Sequence, residues 1–203
     1  MSAAAPVPAA AAVPVRREST AVPTSRLGMW LFLASEVMFF GALVGSYVIL
    51  RLGAGPGAWP DPNRVLAVPV LAVNTFVLIL SSVCMVIAHE AAAAGDMARV
   101  RRFLLATAGL GSLFLCIKVA DYVHLVHEGF VIGGSLFASC YYLLTGFHGL
   151  HVLAGVIALL TGRRFAATGR VTKEDHGYVE GVGLYWHFVD LVWIVLFAIL
   201  CLL

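Results

Sequence analysis

A single carboxyl group, Glu36, lies inside an apolar stretch that runs from Gly28 to Leu50. About 20 apolar residues suffice to cross a bilayer, so this stretch predicts a transmembrane helix. A carboxylate at membrane depth is costly and must face protein, water or a proton. Two interpretations stay open: a functional acid, or a protonated side chain that only hydrogen-bonds to the next helix.

A second group of ionisable residues begins with Lys118 and Asp121, which are three residues apart and therefore neighbours on a helix. Their opposite charges favour an ion pair over a proton relay, because either charge alone would be costly in the membrane. His124, His127 and Glu128 follow, but steps of three residues rotate around a helix by about 60° each. Catalytic zinc needs three convergent ligands, so we expect a solvated helix end and no metal site.

Two histidines, His148 and His151, belong to a polar stripe that also contains Tyr141, Thr145 and Gly155. The spacing of four, three, three and four residues keeps this stripe on one helix face. Histidines three residues apart on one helix cannot lie on opposite sides of a haem iron. We therefore expect both side chains to be satisfied inside the helix bundle.

Near the carboxyl terminus, Glu180, His187 and Asp190 share one face of an apolar helix. We predict that His187 and Asp190, together with the two histidines of the polar stripe, connect the fourth and fifth spans. The alternative is that these groups and nearby aromatic side chains surround phospholipid headgroups or tails.

The composition is that of a polytopic membrane protein: 61% of the 203 residues are hydrophobic and only 12% are charged. A soluble domain carries about twice that charge. The net charge of +2 is too small to indicate a nucleic-acid partner. The four cysteines lie far apart in apolar runs without a CxxC motif, so we interpret them as small hydrophobic residues.

Apolar runs and Gly/Pro breaks predict an all-α bundle of five transmembrane helices within residues 26–203. The predicted spans are about 26–52, 66–89, 103–126, 135–161 and 179–203. Residues 1–25 are rich in Ala and Pro and predict a disordered tail with no secretory signal. Trp59, in the first loop, is expected to anchor at the membrane interface.

Positive charge predicts the orientation, because ten of the thirteen Lys and Arg residues fall in the tail, the 2–3 loop and the 4–5 loop. Cytoplasmic segments carry this excess, so the amino terminus is predicted in the cytoplasm and the carboxyl terminus outside. The loop assignment includes Arg99, Arg101, Arg102, Arg163 and Arg164. In the first span, Gly41 and Gly45 form a GxxxG motif that predicts close helix packing.

Four motifs resemble subunit III of haem-copper oxidases, the cytochrome c oxidase type. They are residues 35–40 (SEVMFF), residues 74–75 with Ala88 and His89, residues 145–152 (TGFHGLHV) and residues 185–193 (YWHFVDLVW). The last two motifs are long, specific and in the family's order. The resemblance covers residues 26–203 and is to the short, five-helix form of the subunit.

The resemblance implies a non-catalytic subunit of a proton-pumping respiratory terminal oxidase that passes electrons from cytochrome c to O2. It implies the inner (plasma) membrane of a bacterium, direct contact with oxidase subunit I through the early helices, and a complex with subunit II and others. Haem and copper would lie in the partner subunits, while this chain would hold structural phospholipids in a cleft and support proton uptake and stability.

Within the resemblance, Glu36 matches the family's buried, carbodiimide-reactive acid and is the expected proton-uptake residue. The family commonly has Gln and Glu where this chain has Lys118 and Asp121. No catalytic or metal-binding residue is implied. The residues expected in lipid or interhelix polar contacts are Asn74, His89, Lys118, Asp121, His148, His151, Trp186, His187 and Asp190.

Three alternatives remain from the sequence. The same subunit type could serve a quinol oxidase or a nitric oxide reductase, since the electron donor is chosen by partner subunits. A small proton-coupled transporter could use Glu36 with the Lys118–Asp121 pair, but no internal repeat or broken helix is evident. A membrane cytochrome with two histidine ligands is disfavoured by the spacing of those histidines.

Overall fold

A computed structural model of the chain describes residues 24–55 and 59–201. Its helices are α1 (Thr24–Gly53), α2 (Pro62–Val65), α3 (Val68–Ala94), α4 (Met97–His127), α5 (Leu136–Ala167) and α6 (Gly177–Cys201). All except the one-turn α2 are long and apolar enough to cross a membrane, which confirms an all-α bundle with five spans. The predicted tail lies outside the described residues, apart from its last two positions, which begin α1.

The connection between α3 and α4 is only two residues long, because both helices extend beyond their apolar cores. Gly95 ends α3 with a positive φ of 87°, a conformation that favours glycine, and its N–H donates to the carbonyl oxygens of Ala91 and Ala92. The Asp96 side chain then accepts a hydrogen bond from the Arg99 N–H and caps α4. The predicted 2–3 loop is therefore wrong: its three arginines belong to the first turns of α4.

The α5 helix likewise runs six residues past its predicted end, so Arg163 and Arg164 are helical and not in a loop. It begins after Ser135, whose side chain accepts a hydrogen bond from the Ala138 N–H. A helix of 32 residues is about 48 Å long, whereas the hydrocarbon core is about 30 Å thick. Both ends of α5 therefore extend into the headgroup region.

The helices α3 to α6 form a four-helix bundle in which α3 and α5 each contact both α4 and α6. The α1 helix lies outside this bundle, mainly against α6 and secondarily against α5. Only 11% of the 18-residue apolar stretch of α1 is buried, compared with 33–44% of the corresponding stretches in the other four spans. The GxxxG motif has no packing partner among the described residues, because a Cβ at Gly41 or Gly45 would have nothing within 4 Å.

The four bundle helices meet at Trp186, whose indole is fully buried. A Cβ at Gly111 in α4 would lie 2.5 Å from the indole, and one at Gly155 in α5 would lie 2.8 Å from it. The indole fits between α4 and α5 because these two positions are glycines, and any larger side chain at either of them would collide with it. On the α3 side, the indole Nε1–H donates to Ser81 Oγ at 2.9 Å. Trp186 thus determines how closely all four helices approach.

A second core cluster surrounds Phe137, Tyr141 and Leu196 at the other end of the bundle, and α1 contributes to it. Trp59, which the sequence predicts at the membrane interface, packs against both α1 and α5. Its ring lies 5.4 Å from that of Tyr47 in α1 and 5.5 Å from that of Phe137 in α5. The loop after α1 therefore helps to hold α1 against the bundle.

Candidate functional site

Glu36 in α1 meets His151 in α5, with 3.1 Å between Glu36 Oε2 and His151 Nε2. The two side chains are 17% and 19% exposed, so the pair is largely but not completely covered by this chain. The sequence predicted a buried acid at Glu36, and it also identified His151, but it did not place the two together. The partner helix is α5 and not the next span, because α1 lies across α5 and α6.

The hydrogen bonds of His151 determine which atoms of the Glu36–His151 pair can carry a proton. Its Nδ1 lies 2.7 Å from the Phe147 carbonyl oxygen, which can only accept, so Nδ1 carries a hydrogen. The contact between Nε2 and Glu36 then needs one proton, held either by the carboxyl group or by the ring. In both cases the pair has no net charge. Glu36 and His151 can therefore share a proton at membrane depth without the cost of an isolated charge.

Aromatic rings surround this pair on the seam between α1, α5 and α6. The Phe40 ring lies edge-on to His151 at 5.0 Å, and Phe39 contacts Phe147 at 5.2 Å. From α6, the Tyr185 hydroxyl donates to the His151 carbonyl oxygen at 3.0 Å. These contacts hold the imidazole in place beside Glu36.

A second polar centre contains Lys118 and Asp121, whose Nζ and Oδ2 atoms are 2.9 Å apart. This is the ion pair that the spacing predicts. Tyr141 of α5 completes it: its hydroxyl accepts from Lys118 at 2.8 Å and donates to Asp121 at 2.8 Å. The side chains of Lys118 and Asp121 are only 6% and 4% exposed, so both charges are compensated away from solvent.

The ammonium group of Lys118 also lies within an aromatic box. It is 4.9 Å from the ring centroids of both Tyr122 and Tyr141 and 5.6 Å from that of Trp193. Cations are attracted to such ring faces, most strongly where water is excluded. The sequence placed Tyr141 on the polar stripe but did not identify it as a partner of Lys118. The sequence signal for this contact was that Tyr141 lies on the polar face of its helix, where it could meet a polar group of a neighbouring helix.

His148 is fully buried and neither ring nitrogen makes a hydrogen bond with the described residues. It is held by rings: it stacks on Trp193 of α6 at 4.9 Å and meets Phe114 of α4 at 5.8 Å. Asn74 of α3 donates to the Phe114 carbonyl oxygen at 3.3 Å, and Trp193 donates to Thr75 at 2.9 Å. His148 and Asn74 therefore lie in contacts between helices, as parts of the bundle core.

The predicted connection between α5 and α6 through His148, His151, His187 and Asp190 is only partly correct. His148 does reach Trp193 of α6, but the His151 side chain faces α1. The other two residues face α3, as the next contacts show. Helical spacing identified the faces but could not tell which neighbouring helix each face meets.

His187 and Asp190 lie on the side of α6 that contacts α3. His187 Nδ1 is 2.7 Å from Ser82 Oγ. Among the described residues, neither buried carboxylate oxygen of Asp190 makes a hydrogen bond, although the Ser82 hydroxyl lies close to it. His89 of α3 lines a cavity of about 210 Å³ together with Glu180 and His187. The polar groups of α6 thus form a line along the α3–α6 seam.

No group of three or more His, Cys, Asp or Glu side chains suited to a metal ion occurs in residues 24–55 and 59–201. The exposed pair His124 and Glu128 is separated by 3.6 Å at the end of α4. The arrangement as a whole offers shared protons, compensated charges and aromatic surfaces. The described part of the chain shows neither an activated nucleophile with its base nor a Gly-rich phosphate-binding loop.

Comparisons with known proteins identify the family. The family model described as cytochrome c oxidase subunit III matches residues 16–202. A Corynebacterium diphtheriae protein named "Cytochrome c oxidase subunit 3" is 39% identical over 172 residues, which is 84% of each chain. A Nocardia farcinica protein named "Probable cytochrome c oxidase subunit 3" is 40% identical over 176 residues, 85% of this chain and 84% of the relative.

A third relative, from Thermostichus vulcanus, carries the name "Cytochrome c oxidase subunit 3" and is 35% identical over 178 residues. The match covers 87% of this chain and 86% of the relative. The family model's match includes all five spans, and together with these relatives it confirms the resemblance that the four motifs indicated. The chain belongs to the cytochrome c oxidase subunit III family.

Proposed function

We propose that this chain is the non-catalytic subunit III of a proton-pumping terminal oxidase that passes electrons from cytochrome c to O2. The observation that carries the proposal is the family match over residues 16–202. The names of the relatives support cytochrome c as the electron donor. Haem and copper would be held by the partner subunits I and II in a bacterial inner membrane.

The positions of the histidines support a chain without its own haem. A haem with two histidine ligands needs one ring on each side of the iron. His151 is already bound to Glu36 and to the Phe147 carbonyl oxygen, and His148 is enclosed between Trp193 and Phe114. Both rings lie on the same helix. Neither could meet an iron without breaking these contacts.

The outer face of α1 is the proposed contact with subunit I and with structural phospholipids. Large apolar side chains on α1 remain exposed, among them Trp30 at 59% and Met38 at 75%. Gly41 and Gly45 on the same helix would let another backbone approach closely. With the arginine-rich helix ends on the cytoplasmic side, the amino terminus is proposed in the cytoplasm and the carboxyl terminus outside.

Glu36 is the proposed tuning residue for proton uptake and durability during turnover, because it shares a proton with His151 at the edge of this face. The test is Glu36→Gln in the complete oxidase. We expect normal assembly, measured by haem content and by subunit III retained in the complex, since an amide can still donate to the imidazole. We expect slower proton uptake or earlier inactivation during turnover.

The matched control is Glu90→Gln, which changes an exposed glutamate of α3. This variant should behave as the wild type in both measurements. Loss of assembly in Glu36→Gln would contradict a tuning role, and so would proton uptake and turnover durability equal to those of the control.

A further inference from the structure

Four arginines line one cavity at the end of the bundle where α4 begins and α5 ends. Arg101 and Arg102 belong to the second turn of α4, while Arg163 and Arg164 lie near the end of α5. The cavity has a volume of about 310 Å³, and we call it the arginine cavity. Two different helices thus direct two guanidinium groups each towards one space.

No acidic side chain lines the arginine cavity. None of its four guanidinium groups forms an ion pair or a hydrogen bond within the described part of the chain, and all four residues are exposed. Other arginines are occupied: Arg26 pairs with Glu180, Arg99 lies over the Phe103 ring, and Arg170 lies over Phe165. The positive charge of the cavity is therefore uncompensated by this chain.

The position of the cavity relative to the membrane limits which kinds of ligand can reach it. The α4 and α5 helices have 31 and 32 residues, whereas about 20 suffice for the hydrocarbon core. Their ends therefore lie at the level of the lipid headgroups. Ala98 and Ala167 leave space between the arginines, and Leu105, one turn deeper than Arg101, is 46% exposed. An apolar surface thus continues from the charged cavity into the membrane.

We propose that the arginine cavity binds the headgroup of an anionic phospholipid, and that it prefers a headgroup with two phosphates, as in cardiolipin. Guanidinium groups bind phosphate oxygens in a bidentate fashion, so four of them can serve two phosphates in pairs. Basic pockets between transmembrane helices suit such headgroups. This site is distant in sequence from Glu36 and does not depend on the oxidase role.

Arginines on one side of a membrane also determine topology, so the test must separate a binding site from a general charge effect. The cavity variant is Arg101→Gln/Arg164→Gln. The matched control is Arg99→Gln/Arg170→Gln, which removes two charges from the same end of the bundle but outside the cavity. A second cavity variant, Arg102→Gln/Arg163→Gln, repeats the test with the other two arginines.

Each full-length chain is delipidated in detergent, checked for helix content by circular dichroism, and titrated with lipid under native mass spectrometry. The probes are cardiolipin, phosphatidylglycerol and phosphatidylcholine. We expect the wild type to bind cardiolipin best and phosphatidylcholine least. Because hydrogen bonds to charged groups are among the stronger ones, each cavity variant should lose roughly tenfold or more in cardiolipin affinity, and the control should stay near the wild type.

Three results would overturn the proposal. Equal affinity for cardiolipin and phosphatidylcholine would show that the cavity does not recognise phosphate charge. Equal losses in the cavity variants and the control would assign binding to general surface charge. Displacement of cardiolipin by inorganic phosphate at matching concentrations would assign the cavity to free phosphate and not to a lipid.

Discussion

Lys118 and Asp121 illustrate how a charged pair is tolerated inside a membrane bundle. Each charge has its opposite at 2.9 Å, and the Tyr141 hydroxyl bonds to both. The aromatic box then replaces part of the hydration that Lys118 loses. Removing one member leaves the other charge buried and uncompensated, whereas removing both leaves neutral groups.

The first prediction follows from this difference. Lys118→Met should lower the free energy of unfolding by about 3–5 kcal/mol, the range for breaking a buried pair. The double variant Lys118→Met/Asp121→Asn should recover part of that loss, because no charge remains buried. Thermal unfolding of the purified chain in detergent, followed by circular dichroism, measures both.

The control for this prediction is Glu128→Gln, which breaks the exposed contact between His124 and Glu128 and should leave unfolding unchanged. A double variant that is less stable than Lys118→Met alone would contradict the explanation from uncompensated charge.

At the residue scale, the sequence could predict contacts within one helix but not contacts between helices. Lys118 and Asp121 are three positions apart, so their pairing follows from helical geometry alone. The meeting of Glu36 with His151 spans 115 positions and depends on where α1 lies. The role of Tyr141 depends in the same way on the packing of α5 against α4. Helical periodicity gives the face of a residue and leaves its neighbour undetermined.

At the scale of the helices, hydropathy located all five spans but placed several ends too early or too late. Apolar content stops at the hydrocarbon boundary, while a helix continues until its backbone is capped. Asp96 caps α4, which begins at Met97, six residues before the predicted start, so the arginines of its first turns are helical. This error in the predicted helix ends matters for function. Because the arginines belong to the packed helices α4 and α5, they are held around one cavity, whereas loop residues would not have to be.

Helix packing around Trp186 supplies a prediction at this scale. Gly111→Ala should destabilise the chain by about 1–3 kcal/mol, the usual cost of an overpacked core, because its Cβ would lie 2.5 Å from the indole. Gly109→Ala in the same helix is the control, since its Cβ would have nothing within 4 Å and alanine favours helix.

The stability of both glycine variants can be measured by thermal unfolding in the same detergent. The expected order is Gly109→Ala at or above the wild type and Gly111→Ala below it. Equal stability of the two variants would show that the slot for Trp186 can widen without cost.

At the scale of the whole molecule, α1 and the bundle of α3 to α6 differ in how they are held. The α1 helix has little buried surface and is joined to the rest by the Arg26–Glu180 ion pair, the Glu36–His151 pair and the packing around Tyr47. In α6, 44% of the 18-residue apolar stretch is buried, and the helix contacts both α3 and α5. We therefore expect α1 to separate first when detergent weakens the chain.

The corresponding prediction uses a protease site inserted between α1 and α2. After cleavage, α1 should dissociate at a detergent concentration at which the rest keeps its helix content, as size-exclusion chromatography and circular dichroism would show. The control is the same site inserted between α5 and α6, where cleavage should release neither fragment. Retention of α1 under conditions that release α6 would contradict this description of the molecule.

The two-residue connection between α3 and α4 has a consequence for biosynthesis. A turn this short obliges α3 and α4 to enter the bilayer as a helical hairpin, soon after both have left the ribosome. Within that hairpin the Asn74 amide already donates to the Phe114 carbonyl oxygen, and Asp121 already compensates Lys118. We expect the hairpin to be a competent insertion intermediate, because the Asn74 amide donor and the opposite charges of Lys118 and Asp121 have partners before α5 and α6 are synthesised.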